Sequence, residues 1–138
     1  MAEERLLIVV GVDGSDCGAV ALHWAERYAA LIGGTLILVT AWQWPRSYGE
    51  PIRLDDHDPG AEARAVAEKV AEECTLSADR ITTRVEQGAA GDVLVRASEE
   101  AGLLVVGTRG HGGLVGAILG STSSHCVHHA RCSVVVAR

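Results

Sequence analysis

Short β-branched or leucine-rich runs alternate with helical patterns along the whole chain, and this alternation leaves few architectures open. The runs Leu6–Val12, Thr35–Ala41, Ile81–Gln87, Leu103–Gly107 and Ser133–Ala137 have strand length and strand composition. The first, fourth and fifth are nearly continuous apolar stretches, the pattern of parallel strands covered on both faces. Ile81–Gln87 alternates instead and predicts an edge strand. Between the runs lie helical stripes. Ala21, Ala25, Tyr28 and Ile32 follow Ser15-Asp16 as candidate caps and stop at Gly33-Gly34. Ala63, Val66, Ala67, Val70 and Cys74 follow Asp58-Pro59; Val93, Leu94, Ala97 and Ala101 run to Gly102; a fourth helix is expected from about Ser121 to Ala130. All three prolines fall between Trp44 and Gly60, which reads as one long surface loop. Strand–helix alternation of this kind predicts one α/β domain, residues 1–138, with a five-stranded parallel sheet.

Composition removes several functions. The 138 residues carry 12 basic against 18 acidic side chains, net charge −6, with Lys69 the single lysine. Nucleic-acid binding needs a basic surface, so it is not expected. Apolar stretches such as Leu6–Val10 are far below the ~20 residues of a membrane span. The first five residues lack a basic leader pattern, so a cytoplasmic location is expected. Cys17, Cys74, Cys126 and Cys132 follow no paired spacing and read as reduced, mostly buried thiols.

A parallel sheet binds ligands beyond the carboxyl ends of its strands, where strand order reverses. Those ends are Asp13-Gly14-Ser15, Ala41-Trp42, Gln87-Gly88 and the segment from Gly107 onward. That last segment has six glycines in the fourteen residues Gly107–Gly120, interleaved with Leu114, Val115, Ile118 and Leu119. Glycine admits close approach of backbone to a ligand. A helix starting near Ser121 would aim free N–H groups at the crevice, a site suited to phosphate, with Ser121 and Thr122 adding hydroxyls and Arg109 a cation. The competing reading is a packed loop whose glycines serve turns. The segment is neither a Walker A loop, having no lysine, nor a dinucleotide fingerprint, since Val115 stands where the third glycine belongs. No nucleophile elbow is present.

The spacing Gly107-x2-Gly110-x9-Gly120-Ser121 resembles the G-2x-G-9x-G-(S/T) signature of nucleotide-binding universal stress proteins. Val10-Gly11-Val12-Asp13-Gly14-Ser15 is similar to that family's first strand and turn, and Ile118–Ser121 through Cys132–Val136 to its closing helix and strand. The resemblance implies a Rossmann-like open sheet of order 3-2-1-4-5, helices on both faces, with ATP and its Mg²⁺ between strands 1 and 4. It implies ATP contacts in the first turn at Val12, Asp13 and Ser15, with Asp13 beside the ribose or the metal-phosphate region. Backbone at Ala41 would read the adenine edge, and Gly107, Gly110, Gly112, Gly120, Ser121 and Thr122 would hold ribose and phosphates. Arg109 and His111 fill variable positions. Where the family often has His and Val at the second strand's end, this chain has Thr40 and Ala41.

The resemblance further implies a nucleotide-responsive stress or signalling module, at most a slow ATPase, that forms a homodimer through Ser133–Val136. AMP or cyclic AMP is the alternative ligand, and a structural dimer with no nucleotide the other alternative. An α-hydrolase or adenylyl-transferring enzyme is disfavoured, because neither an SGGxDS-type loop nor an HxGH motif occurs. His125 and His129 share a helix face and could bind Zn²⁺, although a solvated or partner-facing surface, with His128 beside them, is the expected role. Asp55-Asp56-His57-Asp58 reads as a charged loop rather than a cation site, and Trp42 and Trp44 as packing groups rather than a cover for a base.

Overall fold

The computed structural model describes residues 6–51, 58–108 and 119–138. The described elements run β1 (Leu7–Gly11), α1 (Asp16–Ile32), β2 (Thr35–Trp42), β3 (Arg46–Ser47), β4 (Glu50–Pro51), α2 (Pro59–Glu73), a 3-10 turn (Ala78–Arg80), β5 (Ile81–Gln87), α3 (Ala90–Ser98), β6 (Leu103–Gly107), α4 (Ser121–His129) and β7 (Ser133–Ala137). Five strands form one parallel sheet in the order β5-β2-β1-β6-β7, which is the expected 3-2-1-4-5.

Strand alternation divides the core into two layers. Ile8, Val10, Leu36, Leu38, Leu103 and Val105 face α1, meeting its Ala21, Leu22, Ala25 and Ala29. Val9, Ile37, Val39, Leu104 and Val106 face the other way, onto Val93, Leu94 and Ala97 of α3 and Cys126 of α4. The central strands are covered on both faces, as their continuous apolar runs require. β5 and β7 form the two edges, and β7's Val134, Val135 and Val136 are only half-buried.

Helix boundaries follow local chemistry. Ser15 caps α1, its Oγ accepting from Gly18 N at 3.1 Å. Gly33 ends that helix at φ 72°, a left-handed conformation that glycine adopts without strain. Arg80 then seals the same end: its guanidinium donates to Ala29 O at 2.6 Å and to Gly34 O at 2.8 and 3.0 Å. Asp58 caps α2, Oδ1 accepting from Ala61 N at 3.0 Å, with Pro59 at the first helical turn.

Three expectations need correction. The third helix ends at Ser98 rather than at Gly102, and residues 99–101 turn back by successive short-range bonds to Arg96 O, Ala97 O and Ser98 O. The Trp44–Gly60 stretch is not a single loop. It contains the β3–β4 hairpin, whose turn residues Tyr48 and Gly49 both have positive φ (51° and 81°), and it ends inside α2. Of the four free cysteines only Cys126 is buried; Cys17, Cys74 and Cys132 are half-buried. No helix among the described residues is long and apolar enough to cross a membrane.

Candidate functional site

Strand order reverses between β1 and β6, so the crevice beyond their carboxyl ends is the place to build a site. On the β1 side the chain leaves the sheet through Val12, whose N–H donates to Val39 O at 2.9 Å. Asp13 Oδ1 accepts from Ser15 N at 2.9 Å, folding the turn onto the start of α1. The N-terminus of α1 is thus already served by the chain's own side chains, with Asp16 adding negative charge to its first turn.

On the β6 side Gly107 lies directly against that first turn. A Cβ at position 107 would stand 2.7 Å from the carbonyl carbon of Cys17, a distance real Cβ atoms do not tolerate. The glycine is therefore a packing requirement that brings β6 and α1 together at the crevice floor. The next residue, Thr108, anchors α4: its carbonyl accepts from Gly120 N at 2.6 Å and from Ser123 Oγ at 3.0 Å. Both ends of the intervening segment are tied to one carbonyl group.

α4 begins differently from α1. Its cap position is Gly120 in extended backbone (φ −66°, ψ 167°), with no side-chain cap bond and no acidic residue in the first turn. Its leading N–H groups and positive dipole end therefore lack the side-chain oxygen that α1 has. Ser121 is exposed and Thr122 half-buried at this end, so both hydroxyls stand beside those donors.

The structure thus brings together Val12, Asp13, Ser15, Gly107, Gly120, Ser121 and Thr122 at the two sides of the crevice. Ala41 lies on the β2 overhang: the β1–β2 ladder ends at Gly11↔Val39, whereas the β2–β5 ladder continues to Trp42↔Gln87. Arg109, Gly110, His111 and Gly112 lie outside the described residues. The sequence reading missed Thr108 and Ser123 as the anchors of α4; the run Ser121-Thr122-Ser123-Ser124 was the available signal, but which hydroxyl turns inward cannot be read from it.

The discounted groups fall elsewhere. Trp42 packs on the start of α2, where a Cβ at Gly60 would lie 3.2 Å from its ring, and Trp44 meets it edge-on at 5.9 Å. Asp58 serves as the α2 cap, while Asp55, Asp56 and His57 lie outside the described residues. His125 pairs with Asp92 of α3 (Nε2–Oδ1 3.1 Å), and its ring lies 4.6 Å from that of His129 at a tilt of 43°. Among the described residues no three His, Cys, Asp or Glu side chains converge to hold a metal ion.

A sequence profile described as the universal stress protein family matches residues 6–138. The chain belongs to this family. It is 33% identical over 153 aligned positions to Universal stress protein Rv1996 of Mycobacterium tuberculosis, covering 97% of this chain and 48% of that protein. The chain spans about half the length of the curated relatives it matches. Among solved structures it resembles the universal stress protein UspA from Lactobacillus plantarum (TM-score 0.77, 23% identity, 99% and 100% of the two chains). It also resembles a universal stress protein in complex with cAMP (TM-score 0.72, 28% identity, 96% and 97%). The chain thus shares the Rossmann-like sheet flanked by helices that these structures show.

Proposed function

We propose that this universal stress domain binds an adenine nucleotide, ATP with Mg²⁺, in the crevice between β1 and β6, and works as a nucleotide-responsive module. The observation that carries the reading is the contrast between the N-termini of the helices that follow β1 and β6 in the chain. α1 is capped by Ser15, whereas α4 presents its first N–H groups with no side-chain cap and is held in place by the Thr108 carbonyl. A phosphate group supplies the acceptors that α4 lacks. The Ser121 and Thr122 hydroxyls add donors, and the backbone of Ala41 on the β2 overhang is placed to meet a base. Among the described residues no cluster of carboxylates is gathered to hold a cation, which supports Mg²⁺ arriving with the triphosphate.

Donors of this kind hold a triphosphate, and turnover needs more: a positioned water, a base and charge stabilisation at the leaving group. The domain accordingly holds nucleotide and hydrolyses it slowly at most. Four free thiols fit a reducing compartment such as the cytoplasm. The exposed edge of β7 fits pairing with a second copy.

A second reading is favoured by one finding: a 28% identical relative of matching length was solved with cAMP. A thermal-unfolding series with ATP·Mg²⁺, AMP, cyclic AMP and GTP separates the readings. A ligand at 100 times its Kd stabilises by about 2.7 kcal/mol, which raises Tm by roughly 5 °C or more at this size. The greatest shift with ATP supports the first reading and with cyclic AMP the second. No shift in protein shown to be nucleotide-free sinks both.

A further inference from the structure

Four polar residues are buried in the described structure: Glu26, Thr40, Ser98 and Ser123. Three of them are bonded. Glu26 accepts from Thr75 Oγ1 at 3.1 Å; Ser98 donates to Val95 O and accepts from Arg131 N; Ser123 donates to Thr108 O. Thr40 is the exception. It is 3% exposed, and its Oγ1 has no hydrogen-bond partner among the described residues.

An unbonded hydroxyl in this position works against folding. Leu36 and Leu38, the preceding residues on the same face of β2, are apolar core residues. Valine has the shape of threonine without the polar atom, and the core would accept it. The hydroxyl therefore needs a reason that the free chain does not supply.

Its location supplies one. Thr40 is the first β2 residue beyond the last β1–β2 pair, Gly11↔Val39. β5 flanks it on one side, through Val85. On the other side Val12, bonded through its N–H to Val39 O, still runs beside it, and the chain turns away only at Asp13 and Gly14. Val12 belongs to the same core layer as Leu38, and Val66 of α2 closes on Gly14, 3.4 Å from where a Cβ would stand. Thr40 thus sits where the turn after β1, the overhang of β2 and α2 converge, next to the backbone of Ala41.

We propose that Thr40 Oγ1 is a base contact: it hydrogen-bonds a ring nitrogen or exocyclic amine of the purine that enters beside Ala41, and so helps this chain select its nucleotide. The inference rests on the nucleotide reading above. Because the hydroxyl is covered in the free chain, the base reaches it by parting the turn after β1 from the β2 overhang. A hydroxyl both donates and accepts, so it serves whichever polar atom the base presents.

The test compares wild type, Thr40→Val and Thr40→Ser by titration calorimetry with ATP·Mg²⁺ and cyclic AMP, with ribose 5-phosphate as a probe lacking the base. Melting of each free protein is recorded in parallel. Thr40→Val should melt higher than wild type when free, yet bind the preferred nucleotide about tenfold more weakly. Thr40→Ser should bind within about twofold of wild type, and ribose 5-phosphate should not distinguish the variants. Thr40→Ala repeats the comparison if the valine variant fails to fold. Wild-type affinity in Thr40→Val, or an equal loss for ribose 5-phosphate, overturns the base contact while leaving nucleotide binding intact. Wild type that binds no nucleotide overturns the nucleotide reading itself.

Discussion

Gly107 and Cys17 meet with no space for a side chain between them, which makes residue 107 a sensitive point of the crevice. Gly107→Ala should destabilise the domain by about 2 kcal/mol through forced displacement of β6 from α1, measured by urea unfolding. A cost near zero would show that the two backbones can separate freely. The thiols give a second residue-level prediction. Burial pushes Cys126 up from 9.0 to about 11; burial does the same for Cys74, reinforced by its bond to the Glu26 carboxylate. Below pH 9 these thiols are protonated in both folded and unfolded chains, so they cost nothing. Between pH 9 and 11 the unfolded chain loses its thiol protons first, and stability falls across that window. The urea midpoint should drop between pH 8 and pH 10.5, and Cys126→Ala should show a smaller drop. Identical pH dependence in the two proteins would remove Cys126 from the account.

At the scale of elements, the decisive contacts are those that fix helix ends. Arg80 holds the Ala29 carbonyl in the last turn of α1 and the Gly34 carbonyl just before β2 with three charge-assisted bonds. Arg80→Ala should therefore cost about 2 kcal/mol, with exchange of the amides near Gly34 accelerating more than those of β6. At the other end of the sheet, Ser123→Ala loosens the attachment of α4 to Thr108. It should cost about 1 kcal/mol of stability and weaken nucleotide binding without abolishing it, as read by calorimetry; binding unchanged by this substitution would detach the α4 N-terminus from the ligand. Elements of this kind differ in how far they can be read in advance. β5, β6 and β7 match their predicted limits because glycines and charged residues (Arg80 and Gly88, Gly102, Arg131 and Arg138) stand at or near their ends. The end of α3 was extended by three residues because Ala101 keeps the helical spacing, although the chain turns after Ser98. The β3–β4 hairpin was hidden because its strands are two residues long and carry no alternation. At the crevice, the spacing of Gly107 and Gly120 is visible in the sequence, and the structure adds the close approach of Gly107 to Cys17 and the bond from Gly120 N to Thr108 O. Thr40 and the Asp92–His125 pair are not visible there, because the facing of a strand residue and the approach of α3 to α4 are tertiary facts.

Across the whole molecule, the sheet has two unlike edges. β5 carries Thr82, Thr83 and Gln87 outward and an ion pair from Arg84 to Glu100, a polar edge that discourages further pairing. β7 is apolar and half-buried, so association should run through it. Sedimentation at micromolar concentration should give a dimer for the wild type, and Val135→Arg should give a monomer; a monomeric wild type would refute the edge-pairing proposal. The carbonyl of Thr108 has a wider meaning. With Gly120 N and Ser123 Oγ both seated on it, this one peptide group works as a clasp: any shift of the chain leaving β6 is carried to the start of α4 through two hydrogen bonds at once.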